Sequence, residues 1–302
     1  MKKLKYLVMA AIAAVVFACG TTRTVPITGR KQNILVSDEQ VLSLSNQEYT
    51  NYMKSAKLST NSANTAMVKR VGQRLATAVE TYLNEHGMAA DAKEYSWEFN
   101  LVQDKSVNAF CMPGGKIVVY EGLLPITQDE ASLAIVLGHE IAHAVAKHSA
   151  EQMSKQIKNQ YGTQILGQVL NAAGVSSSTT QLAQIIAQKG LQFRSLKYSR
   201  DNESEADHMG LIFAAMAGYD PNVAVTFWQR MAQATGSNNQ SDIFSDHPSD
   251  AKRIAAIKQE LPEALTYYKP VKTTTTTKKT TTSTKKKTRT SSKKKKTTTR
   301  RK

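Results

Sequence analysis

The sequence is poor in cysteine, with Cys19 and Cys111 the only two in 302 residues. That excludes a disulfide-stapled scaffold and a cysteine-built metal cage. It also lacks long apolar runs. The run near the start, Tyr6–Phe17, is 12 residues, too short to span a bilayer comfortably, and no other segment offers the roughly 18 apolar residues of a membrane helix. The body lacks an excess of charge as well. The net charge is +16, but residues 271–302 hold 14 of the 40 Lys and Arg and no acid. Residues 1–270 keep 26 basic against 24 acidic residues, and 19–270 keep 23 against the same 24. A basic, nucleic-acid-binding body is excluded. What remains is long enough for one large domain or two small ones with a sizeable core.

Lys2, Lys3 and Lys5 followed by Tyr6–Phe17 read as a secretory signal over residues 1–18. Val16-Phe17-Ala18-Cys19 resembles a bacterial lipobox, in which cleavage precedes a cysteine that then carries lipid. Several acyl chains on Cys19 give stable anchoring where one gives marginal binding. Gly20 in place of Asp favours the outer membrane, facing the periplasm. With Cys19 lipidated, Cys111 is left as a buried free thiol. At the other end, residues 263–302 read as a disordered Lys/Thr-rich tail. From residue 271 it holds 14 Thr, 3 Ser and a single Val, so there is nothing to bury against its ordering entropy. Such a tail suits electrostatic contact with anionic envelope polymers, screened by salt, and a secreted lipoprotein gives it no nucleic acid to meet.

Between these ends, residues 19–60 read as a linker and first helix, and 61–262 as the main domain. Val25–Lys31 is polar and turn-rich, and helical patterns dominate 38–86. Trp97–Leu101 alternates apolar and polar residues like a half-buried strand. Val107–Met112 and Lys116–Tyr120 flank Pro113-Gly114-Gly115 and predict a hairpin. Thr127 with Glu130, and Ile126 just ahead, predicts a capping box that opens a long helix. Residues 161–191 predict two amphipathic helices broken near Gly174, and further helices cover about 203–217, 221–235 and 249–260. The fold class is α+β, a mostly helical domain with a small sheet.

The long helix carries His139-Glu140-Ile141-Ala142-His143. Residues four apart lie about 40° apart around a helix and one turn along it, so both imidazoles can enter one tetrahedral zinc shell. Glu140 projects beside that face, placed to take a proton from a water in the shell. Burying these groups among Leu133, Val136, Leu137, Ile141 and Val145 would be costly without a metal. The pattern with Gly three and His six residues after the second His fails, because Ala146 and Ser149 stand there. His148, about 140° round a continuous helix from His143, is expected to miss the ion. A third ligand is expected from Arg200-Asp-Asn-Glu203-Ser-Glu205-Ala-Asp207. Glu203 would ligate while Asp207, one turn on, accepts the second ring proton of a ligand histidine. Glu205, about 200° from Glu203, cannot share that face. His86 and His208 receive no role.

HEIAH with the later ESEAD of Glu203–Asp207 resembles the gluzincin metallopeptidases, the family of the HtpX heat-shock protease and the CAAX prenyl protease of the Ste24 type. VPITGRKQ, VNAFCMPGGKIVVYEGLL and SDHPSDAKRI resemble its soluble branch of bacterial lipoproteins and periplasmic proteases. The resemblance covers about residues 25–260. It implies a zincin-type fold and one Zn2+ per chain, held by His139, His143 and Glu203, with Glu140 as catalytic base. It also implies a substrate strand at Asn108, Ala109 and Phe110, which would read an extended peptide through its main chain. His247 matches a position that approaches the zinc in relatives, as a latch or an oxyanion donor, and Arg253 is a second candidate for the oxyanion. The expected function is hydrolysis of unfolded or misassembled envelope proteins. The alternative is a latched, largely non-proteolytic envelope chaperone or assembly factor with structural zinc.

Overall fold

The computed structural model describes residues 21–171, 193, 196–236 and 251–270. The leader with Cys19, most of 172–195, residues 237–250 with His247, and everything from 271 lie outside them. The described residues belong to a unit that ends at Val271, and 272–302 form a second unit. No described helix is long and apolar enough to cross a membrane.

The turn-rich stretch after residue 24 is the loop of an antiparallel ribbon absent from the sequence reading. Its strands are β1 (Thr21–Thr24) and β2 (Lys31–Ile34), with Thr24 opposite Lys31. Neither strand alternates apolar and polar residues, so period-two patterning gives no signal. The loop closes on itself: Val25 N–H donates to Arg30 at 2.8 Å and Gly29 N–H to Val25 at 3.0 Å.

Helix α1 (Asp38–Ser55) starts at a Ser37–Gln40 capping box, and α2 (Ser62–Glu85) at Asn61, whose side chain accepts from Asn64 N–H. Val68, Val71, Leu75 and Val79 recur at helical spacing on α2 and are fully buried. After the short α3 (Ala89–Ala92) comes a three-stranded sheet of β3 (Glu98–Val102), β4 (Ala109–Met112) and β5 (Lys116–Tyr120), in the order β3-β5-β4. The expected hairpin is β4–β5, with Ala109 opposite Val119 and Gly114 and Gly115 both at φ 84° in the turn. β3 joins the other side of β5 in parallel. Core covers both faces of the sheet. Ile117 and Val119 join the main core with Leu101 and Leu133, while Val118 and Tyr120 join a smaller one with Met112 and Met153. Over Trp97–Leu101 the expected alternation holds, with Phe99 and Leu101 buried between the exposed Glu98 and the half-buried Asn100, and Val102 beyond it is buried in the smaller core.

The turn α4 (Leu124–Thr127) precedes the long helix α5 (Glu130–Val145). The expected Thr127–Glu130 capping box does not form. Thr127 Oγ1 donates back to the Leu124 carbonyl at 3.2 Å and Gln128 takes a left-handed φ of 65°. Asp129 caps instead, accepting from Ser132 N–H at 2.7 Å, and Glu130 pairs with Arg70. Lys147, at φ 54°, ends α5 and redirects the chain into α6 (His148–Asn171). The second of the two helices expected over 161–191 lies outside the described residues. Next come α7 (Arg200–Met216), α8 (Val223–Gly236) and α9 (Ala251–Tyr267). α9 continues through Pro262, beyond the 263 boundary set for the tail, because Ala264 is fully buried in the core.

Candidate metal centre

Helices α5 and α7 bring the ligand candidates together. Their backbones meet at Gly138 and Gly210, where a Cβ on Gly138 would lie 2.7 Å from the Gly210 carbonyl oxygen. Only glycine permits that approach, and it brings α7 against α5 beside His139. A Ser199–Asn202 capping box opens α7, placing Glu203 in its first turn and Asp207 one turn further.

His139, His143 and Glu203 each offer one ligand atom, all within 4.8 Å of one another. The two Nε2 atoms face each other at 3.1 Å, and the Glu203 carboxylate oxygens lie 3.4 Å from His139 Nε2 and 3.5 Å from His143 Nε2. Ligands about 2.05 Å from one ion at tetrahedral angles stand about 3.3 Å apart. The donor set and its spacing therefore fit a zinc-sized ion. His139, Glu140, His143 and Glu203 are all buried.

The second ring nitrogen of His139 meets Asp207, Nδ1 to Oδ1 at 2.9 Å. Arg253 grips that carboxylate with Nε to Oδ2 and Nη2 to Oδ1, both at 2.6 Å, and lies 3.6 Å above the Trp228 ring. Arg253 Nη2 is 3.2 Å from His139 Nδ1. Its Nε and Nη2 are thus committed to Asp207, a bidentate grip on a desolvated carboxylate. Burial opposes ionisation of Asp207, but Arg253 and His139 outweigh it and hold the carboxyl below its ordinary range. Burial likewise opposes a charged His139, yet Asp207 and Glu203 raise its pKa to about 9. A buried imidazole among these acids is a site for positive charge.

Asn108 precedes β4, its carbonyl accepting from Tyr120 N–H at 3.0 Å. Ala109 and Phe110 lie on β4, which borders the sheet and packs beside α5. Ala109 and Cys111 face the main core, and Phe110 and Met112 the smaller one. Cys111 is a buried free thiol, its pKa pushed well up by burial. His247 lies outside the described residues. His86 stacks on Tyr82 at the end of α2, and His208 turns to Glu263 at 2.9 Å.

Two neighbours of His143 escaped sequence reasoning. Tyr198 stacks on its ring, with centroids 4.2 Å apart and planes at 21°. His148, turned back by the bend at Lys147, brings its Nδ1 to 2.9 Å from His143 Nδ1. It stays outside the ligand set, as expected, although the break at Lys147 replaces the continuous helix on which that expectation rests. Behind it, Glu205 is held to about 2: burial opposes ionisation, and bonds from His148, Arg30 and Thr28 overcome it.

The model of peptidase family M48 matches residues 62–261, two thirds of the chain. The mitochondrial metalloendopeptidase OMA1 of Schizosaccharomyces pombe is 41% identical over 172 residues, 57% of this chain and 48% of that protein. Human OMA1 is 31% identical over 244 residues, 80% and 46% of the two chains. The β-barrel assembly-enhancing protease of Escherichia coli K12 is 29% identical over 186 residues, 58% and 37%. The chain thus spans half or less of the length of these curated relatives. The matched segment runs from the start of α2 into α9 and contains all three ligand candidates. The chain belongs to peptidase family M48.

Proposed function

We propose that the chain is a zinc endopeptidase that hydrolyses peptide bonds of unfolded or misassembled cell-envelope proteins. The observation that carries this reading is the pair of Nε2 atoms 3.1 Å apart with the Glu203 carboxylate at 3.4 and 3.5 Å. Three protein ligands are the set of a catalytic zinc, whereas structural sites close with four. The relatives named as metalloendopeptidases support it.

His139, His143 and Glu203 would hold one zinc per chain, which when bound supplies an acidified water and a polarised scissile carbonyl. Glu140, buried next to His139 on the same helix, takes the proton of the attacking water and returns it to the leaving amine. Asp207 keeps the His139 proton on Nδ1, and Arg253 keeps Asp207 charged. Asn108, Ala109 and Phe110 align an extended substrate along β4 by main-chain hydrogen bonds, so specificity for side chains is broad. Cys19 carries the lipid that anchors the protein to the bacterial envelope, at the outer membrane facing the periplasm. The compartment rests on residues 1–19. The basic tail adds attraction to anionic envelope polymers.

The test is zinc content and casein cleavage by the full chain in detergent, for wild type and Glu140→Gln. One zinc per chain in both is expected, with cleavage slower in the variant by about 10²–10⁴-fold. Zinc-loaded wild type that leaves casein intact sinks the hydrolase reading and favours the chaperone.

A further inference from the structure

The loop Val25–Lys31 carries part of the family resemblance, yet none of its residues enters the ligand set. Its side chains reach the metal centre from behind. Glu205 accepts from Thr28 Oγ1 at 2.6 Å and from Arg30 Nε at 2.8 Å. Arg30 also donates from Nη1 and Nη2 to Glu151, at 3.1 and 2.9 Å, and Asn202 Nδ2 donates to the same carboxylate at 3.1 Å. The oxygen that accepts from Arg30, Glu205 Oε2, also lies 2.9 Å from His148 Nε2, and His148, fully buried, meets His143 Nδ1 to Nδ1 at 2.9 Å.

The chemistry of these partners fixes the direction of each bond. An ionised carboxylate only accepts, so His148 donates from Nε2 to Glu205. A neutral imidazole protonated there has a bare Nδ1, so His143 donates to it from its own Nδ1. The lone pair of His143 Nε2 is thereby left facing His139 Nε2 and Glu203. Asp207 achieves the same for His139. Each histidine of the pair has an oriented partner, and each line of partners ends in an arginine: Arg253 on α9 and Arg30 in the ribbon loop.

We propose that Arg30, Glu205 and His148 form a positioning chain for His143, so that the N-terminal ribbon, outside the family-matched residues 62–261, sets the metal affinity of the centre. This rests on reading His139, His143 and Glu203 as the ligands. The chain does no chemistry itself; it fixes one tautomer and one ring orientation, which outer partners of ligand histidines commonly do.

The test is zinc titration of the metal-free full chain against a chromogenic chelator, with Co2+ substitution to read the ligand field by visible absorption. Wild type should bind one equivalent and His139→Ala should not; if that fails, the ligand reading falls, and the chain with it. Given that result, His148→Phe and Glu205→Gln should each weaken zinc binding by about 10–100-fold and shift the Co2+ band. Arg30→Met should move both readouts the same way by a smaller factor. His148→Gln, which supplies an acceptor and a donor in one side chain, should recover most of the loss seen with phenylalanine. Melting of the metal-free variants separates misfolding from mispositioning. Should the buried substitutions fail to fold, Arg30→Met and Thr28→Val in the loop carry the test alone. Folded variants with wild-type zinc affinity and an unshifted Co2+ spectrum would overturn the proposal.

Discussion

A methyl group on Gly210 would stand 2.7 Å from the backbone nitrogen of His139, so the helix that carries Glu203 touches the helix that carries the histidines with no atom to spare. The three atoms that would be struck, His139 N, Gly138 C and His139 Cα, are all backbone, which cannot swing aside as a flexible side chain can. Gly210→Ala should therefore push α7 off α5, at about 1–3 kcal/mol of overpacking. That corresponds to a melting temperature lower by about 2–4 °C per kcal/mol in a domain of this size. Glu203 rides on the displaced helix, so zinc affinity should fall with it. Calorimetry of the metal-free protein and a zinc titration check both parts, and an unchanged affinity would mean that the crossing does not set the ligand distances.

Arg253 and Asp207 form a buried ion pair with two bonds of 2.6 Å. Removing the cation leaves a carboxylate stranded in the core, so Arg253→Met should cost about 3–5 kcal/mol. Arg253→Lys should rescue little, since an ammonium provides neither the two-pronged grip nor the face that lies on Trp228. The sign of the pH dependence follows from Asp207, whose pKa is lowered in the fold. Such a group stabilises above its unfolded pKa and loses that contribution as pH falls through the folded one. The gap between wild type and Arg253→Met should therefore be full near pH 7 and shrink in acid. A gap that is flat with pH in denaturant melts would contradict this role.

The legible part of the centre is the part written in helical spacing. His139 and His143 are four apart, as are Glu203 and Asp207, and each pair presents one face to the other. The β4–β5 hairpin was legible too, because Pro113-Gly114-Gly115 is a local signal between apolar runs. What escaped depends on contacts distant in sequence or on a single backbone angle. Lys147 at φ 54° breaks α5 and turns His148 back onto His143, and lysine gives no hint of a left-handed residue. The ribbon of Thr21–Ile34 has no apolar alternation, and its loop matters only through Glu205, 175 residues beyond Arg30. The parallel β3–β5 pair and the Gly138–Gly210 crossing are likewise tertiary facts that no window of sequence contains.

The basic tail and the metal centre should be separable. A chain truncated after residue 271 should hydrolyse a soluble peptide at the wild-type rate, because the ligand candidates and their supports all lie before it. The same truncation should abolish low-salt binding to anionic envelope polymer, which wild type should lose between low and high salt. Peptide hydrolysis that collapses on truncation would show that the tail works in catalysis.

Glu260 on α9 offers a test of the electrostatics beside the centre. Its Oε2 is buried without a hydrogen-bond partner, and burial, with Asp207 and Glu263 adding to it, pushes the pKa up to about 7. A carboxyl whose folded pKa lies above its unfolded value stabilises below the unfolded pKa and loses that contribution as pH rises through the folded one. Wild type thus carries a penalty above pH 7 that is absent near pH 4.5. Glutamine keeps the shape and never ionises, so Glu260→Gln should match wild type near pH 4.5 and melt higher at pH 8. A gain of about 2–4 °C is expected, limited by solvent screening of the partly exposed carboxylate. Asp207 stays charged across this window in both proteins, so the difference isolates Glu260. Equal melting temperatures at pH 4.5 and at pH 8 would mean that the carboxylate is better solvated than its surroundings imply.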